Sequence, residues 1–91
     1  MRLMIVDDSK IIRNRIQRAV EDYNLEVVCT ATNGQEAVDM ITSNQPEIVT
    51  MDLTMPEMDG IESIEKILEI KPDLLILVVS ALADKAPLFR L

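Results

Sequence analysis

The 91-residue chain contains no histidine and a single cysteine, Cys29. A disulfide framework needs paired cysteines, a structural zinc site needs several Cys or His ligands, and histidine-based catalysis needs a histidine. All three are excluded, and Cys29 is expected as a packed strand residue. No apolar run approaches the length of a bilayer span, and no positively charged leader precedes an apolar core at the N-terminus. The expected setting is cytoplasmic, with no membrane partner. Basic residues are the minority: nine Lys and Arg against sixteen Asp and Glu give a net charge of −7. A surface of that sign repels polyanions, which argues against nonspecific binding to nucleic acid or anionic membrane. Hydrophobic residues make up 48% of the chain, too many for a disordered segment. At this length there is room for one core that buries roughly two-thirds of the unfolded surface. A single domain over residues 1–91 is expected.

Two short apolar runs, Leu3-Met4-Ile5-Val6 and Glu47-Ile48-Val49-Thr50-Met51, read as strands. Asp7-Asp8 closes the first and Asp52 closes the second. A helical pattern follows each, so the order strand, helix, strand, helix predicts a parallel sheet with helices on its faces. Such sheets bind ligands at the carboxyl ends of their strands, where the strand order reverses. Parallel pairing of the two runs brings Asp7, Asp8 and Asp52 to that edge. An aspartate after a strand also serves as a helix N-cap, although Ser9 is able to cap a helix opening at Lys10 by itself. Three nearby carboxylates repel, raise one another's pKa and destabilise the fold. Their convergence points to a cation, and the trio reads as a site for Mg²⁺ and phosphate.

Ile12, Ile16, Ala19, Val20 and Tyr23 recur at helical spacing and predict a first helix over Lys10 to Asp22. Lys10, Arg13, Arg15 and Arg18 occupy its other faces, either as a solvated surface or as a docking surface for an acidic or phosphorylated partner. Leu25 to Thr30 reads as a second strand, and Asn33-Gly34 punctuates the way into a helix over Gln35 to Ser43. In that helix Ala37, Val38 and Ile41 turn inward. Pro46 opens the third strand. Leu53 to Gly60 is a loop marked by Pro and Gly, followed by a helix over Ile61 to Ile70 that Pro72 stops. Leu74 to Val79 is a fourth strand, apolar throughout as a strand buried on both faces should be. Ser80 then falls at the same edge as the acids, where a hydroxyl would hydrogen-bond a phosphoryl oxygen.

The segments Val6-Asp7-Asp8-Ser9, Asn33-Gly34-Gln35-Glu36-Ala37, Met51-Asp52-Leu53-Thr54-Met55-Pro56-Glu57-Met58-Asp59-Gly60 and Ser80-Ala81 come in this order at strand ends. From Arg2 to about Ala83 the chain resembles the receiver domains of bacterial two-component response regulators. The resemblance implies an α/β, flavodoxin-like (CheY-like) doubly wound parallel sheet of order 2-1-3-4. It implies a phosphoacceptor switch that takes a phosphoryl group from a sensor histidine kinase or a phosphotransfer protein. Carried over by position, Asp52 is the phosphoacceptor. Asp7, Asp8, Asp52 and the backbone carbonyl of Thr54 hold Mg²⁺, Ser80 is the switch hydroxyl, and Met55-Pro56 with Gly60 shapes the site. No enzymatic activity is implied beyond the chain's own aspartyl phosphorylation and dephosphorylation.

The resemblance weakens at the C-terminus. Receiver domains continue through another helix, a fifth strand that ends in a lysine followed by proline, and a final helix. Here Ala83-Asp84-Lys85-Ala86 resembles the start of that helix, and Pro87 to Leu91 follows. The expected fold is therefore C-terminally truncated, lacking the usual fifth strand and last helix, and Lys85 stands too near the fourth strand to match the family lysine. An open fourth-strand edge is a template for pairing with another chain. A homo-oligomer joined through that edge and the Leu88-Phe89 tail is expected. Two other classes stay open: a receiver-shaped assembly or scaffold module that binds Mg²⁺ without signalling, and a phosphatase of the haloacid-dehalogenase type. The second is disfavoured, because it requires Asp-x-Asp after the first strand and this chain has Asp7-Asp8-Ser9.

Overall fold

The computed structural model describes residues 1–53, 55, 58–80 and 88–90, with Ser80 and residues 88–90 described by their backbone alone. Its strands are β1 (Arg2–Val6), β2 (Glu26–Ala31), β3 (Ile48–Asp52), β4 (Leu75–Ser80) and β5 (Leu88–Arg90). Its helices are α1 (Lys10–Ala19), α2 (Gly34–Asn44) and α3 (Gly60–Ile70). The sheet order is β2-β1-β3-β4-β5, and the first four strands run parallel. The expected order 2-1-3-4 is thus present. Among the described residues no helix is long and apolar enough to cross a membrane.

Alternation along the strands sorts the core into two layers. Met4, Val6, Val49 and Met51 face α2 and α3, where they meet Ala37, Ile41 and Ile67, all essentially inaccessible. Leu3, Ile5 and Val79 face α1 and meet Ile12, Ile16 and Val20. Because β1 and β3 lie at the centre with helices on both sides, Leu3–Val6 and Ile48–Met51 are apolar at every position but Thr50 rather than alternating. The aspartates follow directly at their carboxyl ends.

Each helix starts on a side-chain cap that satisfies an orphan backbone donor. Ser9 Oγ accepts from Ile12 N–H at 3.3 Å, Asn33 Oδ1 from Glu36 N–H at 2.8 Å, and Asp59 Oδ1 from Glu62 N–H at 2.9 Å. The far end of α1 differs from expectation. The helix stops at Ala19, and Glu21 and Tyr23 donate to the carbonyls of Arg18 and Val20 in i→i+3 bonds. That tighter winding rotates Tyr23 off the apolar stripe, and Tyr23 is 70% exposed. Ala19 is exposed as well.

Two expectations for the fourth strand also change. Leu75 is 44% exposed, so β4 is not buried on both faces along its whole length. By the strand period Leu75 shares its face with Val79, and on that face the described cover is α1, which packs on Leu3, Ile5 and Val79. The outer edge of β4 is closed over part of its length: Leu88–Arg90 pairs antiparallel with Val78–Ser80. Part of the tail expected to join two copies thus pairs with β4 of its own chain. The stretch proposed as the start of a following helix, Ala83 to Ala86, lies outside the described residues.

Thr50 is 3% exposed in the middle of β3, and its Oγ1 has no hydrogen-bond partner among the described residues. A buried hydroxyl without a partner loses its hydration and gains nothing in return, at a cost of about 1–3 kcal/mol. Thr50→Val keeps the shape and removes the hydroxyl. The variant should gain about 1 kcal/mol of stability, read as a higher midpoint in urea with an unchanged slope. A lower midpoint would mean that the hydroxyl is satisfied.

Candidate functional site

Parallel pairing of β1 with β3 runs Leu3↔Ile48, Met4↔Val49, Ile5↔Thr50 and Val6↔Met51. One more residue along each strand sets Asp7 level with Asp52. Carboxylate oxygens of Asp7, Asp8 and Asp52 lie within 4.8 Å of one another. Asp7 and Asp52 are 3% and 7% exposed, whereas Asp8 is exposed, so the cluster is walled by protein on one side and wetted on the other.

Asp7 is held from three directions. Its N–H donates to the Ala31 carbonyl on β2 at 3.0 Å, its Oδ1 accepts from Ser9 N–H at 2.8 Å, and its carbonyl accepts from Arg13 Nη1 at 2.8 Å. The capping role open to an aspartate at this position falls to Ser9, which leaves the acids at the sheet edge for other chemistry. Burial pushes the Asp7 carboxyl up to about 6, and the charges of Asp52 and Asp8 push the same way. The Ser9 N–H and the Arg13 guanidinium oppose them without prevailing.

The loop after Asp52 is positioned by two close approaches of backbone. A Cβ at Gly60 would collide with the carbonyl oxygen of Asp52, and Gly60 N–H donates to the Leu53 carbonyl at 3.1 Å. A Cβ at Gly34 would collide with the carbonyl of Met58, to which Gly34 N–H donates at 3.2 Å. The fully buried Ser63 Oγ donates to the Gly34 carbonyl at 3.1 Å and completes a clasp between α2, the loop and α3. Met55 packs at the margin of the core on the α2 and α3 side. Thr54 and Pro56 lie outside the described residues. Ser80 is the last residue of β4, next to Val79, the register partner of Asp52, and its side chain also lies outside the description.

The sequence pattern brings the three acids together, as the structure does, but leaves Arg13 on a basic face that is either solvated or a docking surface. The structure half-buries Arg13 and turns it onto Asp7. The available signal was its place one turn beyond the Ser9 cap, where a long side chain reaches back over the preceding turn. Ser63 was missed too; a small polar residue on the inward face of an otherwise apolar helix stripe was its mark.

The donor set is all carboxylate oxygen, which suits a hard cation such as Mg²⁺ that takes one or two carboxylates and keeps several waters. A family model described as response regulator receiver domain matches residues 3–90. The chain belongs to the response regulator receiver family. This receiver is 44% identical over 85 residues to the chemotaxis protein CheY of Thermotoga maritima, covering 93% of this chain and 71% of that one. It is 48% identical over 82 residues to a protein-glutamate methylesterase/protein-glutamine glutaminase of Halobacterium salinarum, covering 90% of this chain and 23% of that one. Among solved structures, a CheX-CheY-BeF3-Mg²⁺ complex from Borrelia burgdorferi superposes with a TM-score of 0.85 at 31% identity. That match covers 93% of the receiver and 65% of the solved chain. The receiver thus spans just under two thirds of that structure and under a quarter of the methylesterase.

The raised Asp7 pKa makes stability depend on pH. Between the ordinary value of 3.8 and about 6 the folded receiver binds more protons at this position than the unfolded chain does. Stability from this group is therefore highest below about 4 and is lost as pH rises through about 6. The full loss is up to about 3 kcal/mol. Asp7→Asn should remove it: with chelator present, the variant should melt above the wild type at pH 7.5, and the gap should shrink to about a third by pH 4.5 and close only near about pH 3. Equal melting temperatures at pH 7.5 would refute the account.

Proposed function

We propose that the chain is a phosphoacceptor switch of two-component signal transduction, in which Asp52 receives a phosphoryl group in the presence of Mg²⁺. The observation that carries this reading is the convergence of Asp7, Asp8 and Asp52 at the carboxyl edge of a parallel sheet, with the loop beyond Asp52 pinned by Gly34, Gly60 and Ser63. A carboxylate oxygen of Asp52 attacks phosphorus, a P–O bond forms to give an acyl phosphate, and the bond from phosphorus to the donor breaks, leaving the donor with the electron pair. Phosphoryl transfer has a loose transition state, so the protein's task is mainly positioning and electrostatics. Asp7 and Asp8, with Asp52 and the Thr54 carbonyl, are the residues that would hold Mg²⁺, whose contribution is to neutralise charge between the incoming group and the acids. The register of β4 brings Ser80 to the same edge as Asp52, which suits a hydroxyl that senses the added charge.

The partner class that fits is a sensor histidine kinase or phosphotransfer protein. The solved relative bound to CheX in the presence of BeF3 and Mg²⁺ is consistent with a receiver whose contacts depend on its phosphorylation state. Self-association has a smaller surface than a bare β4 would offer, because β5 already pairs Val78–Ser80 and leaves Leu75–Leu77 as the stretch a second copy would meet.

A second reading is a receiver-shaped scaffold that binds Mg²⁺ without signalling. The observation in its favour is β5, which runs antiparallel to β4 as Leu88-Phe89-Arg90 and supplies no lysine to the edge that holds the acids. Intact-mass measurement after incubation with acetyl phosphate and Mg²⁺ separates the two. Wild-type protein should gain one phosphoryl group, and Asp52→Asn should gain none while retaining a weakened melting-temperature shift with Mg²⁺. A Mg²⁺ shift without any adduct on the wild type would favour the scaffold, and an aspartyl phosphate on Asp52→Asn would rule out Asp52 as acceptor.

A further inference from the structure

Asp7 and Asp8 are adjacent in sequence but are fixed by different means. The backbone and carboxylate of Asp7 are hydrogen-bonded on three sides, by Ala31, Ser9 and Arg13. No such set of bonds orients the exposed Asp8 carboxylate among the described residues. Its direction is inherited from the peptide unit that joins it to Asp7. That unit is planar and resists twisting, so whatever grips the Asp7 carbonyl oxygen also fixes the plane from which the Asp8 Cα departs. The group that grips it is Arg13 Nη1, at 2.8 Å.

The anchorage of Arg13 is itself rigid. It sits in the first turn of α1, its N–H donates to the Ser9 carbonyl at 3.0 Å, and Ser9 caps the helix through Ile12 N–H. Residues 7, 9, 12 and 13 therefore form a closed set of hydrogen bonds around the β1–α1 turn, with the guanidinium as the one long-range link. The guanidinium charge also opposes the rise at Asp7 and adds a lesser pull on Glu36, whose carboxyl is lowered chiefly by its hydrogen bonds from Thr32.

We propose that Arg13 is a positioning residue that locks the Asp7–Asp8 peptide and thereby sets the preference of the acid site for a small, octahedral cation. The inference rests on the cation-binding reading of the three acids. Mg²⁺ demands near-ideal octahedral geometry at short distance, whereas Ca²⁺ accepts longer and more variable arrangements. A turn held stiff by Arg13 favours the first; a slack turn adapts to the second. The sign of the effect separates positioning from simple electrostatics. A cation near three carboxylates opposes binding of another cation, so if Arg13 acted by charge alone its removal would tighten Mg²⁺ and Ca²⁺ together. If it acts by position, its removal weakens Mg²⁺ selectively.

Calorimetric titration of the whole chain with Mg²⁺ and, separately, with Ca²⁺ tests this, with melting curves as a control for folding. Arg13→Met keeps the length of the stem and removes donor and charge. Its ratio of Mg²⁺ to Ca²⁺ affinity should fall by about 10-fold, the range seen when a group that orients a metal ligand is lost. Arg13→Lys keeps the charge and a donor, and should hold the wild-type ratio. If Arg13→Met loses its cooperative melt, Arg13→Gln, whose arm is too short to reach the same carbonyl, carries the same expectation. An unchanged ratio in the Met or Gln variant, or equal tightening of both cations, overturns the positioning role while leaving the cation site standing. Wild-type protein that binds neither cation overturns both.

Discussion

Mutual repulsion among three carboxylates is what the carboxyl edge of this sheet is built to withstand. Two of the three, Asp7 and Asp52, are nearly inaccessible, and water therefore does little to soften their interaction. The chain responds in two ways. Asp7 holds its proton to unusually high pH, which lowers the local charge. Asp8 stays in contact with solvent, which gives the cluster one open side. Such an arrangement persists only because the backbone around it is over-determined, with the Asp7 amide, carbonyl and carboxylate each committed to a different neighbour.

That rigidity is supplied from below by the core and from the sides by glycine. Met4, Val6, Val49 and Met51 form the floor against α2 and α3, and they leave the strand ends no freedom to spread. Gly34 and Gly60 let α2 and α3 begin in direct backbone contact with the loop that follows Asp52, where any side chain would force the helices outward. The buried Ser63 hydroxyl adds a hydrogen bond between the two helices at that level. The same features that make the fold compact thus carry the loop to its place beside the acids.

The parallel order, the three helices and the meeting of Asp7, Asp8 and Asp52 were legible in the sequence, because they depend on local patterns that tertiary contacts reinforce. Apolar runs bounded by aspartate mark strand ends, and Ser9 and Pro72 mark helix limits. What escaped is set by competition at longer range. Periodicity extends the inward stripe of α1 to Tyr23, because it does not reveal where a helix tightens into i→i+3 bonds. The exposure of Leu75 has no mark in the sequence, because an apolar strand does not state how far its covering helix reaches. The role of Arg13 depends on a carbonyl six residues back, and only its place one turn beyond the Ser9 cap sets it apart from Arg15 or Arg18. The pairing of Leu88–Arg90 was illegible because a three-residue strand carries almost no pattern.

The ladder between β1 and β3 has one more consequence. Strand registers change only in whole residues, each step moving the chain by about 3.3 Å, and a single step also turns every side chain to the other face. A slip that brought Asp52 nearer to or farther from Asp7 would carry Val49 and Met51 out of the core with it. The separation of the acids is therefore quantised by the hydrophobic floor and cannot drift by small amounts. Fine adjustment is left to the turns after β1 and β3, and in those turns a single altered residue can retune the spacing while the sheet stays as it is.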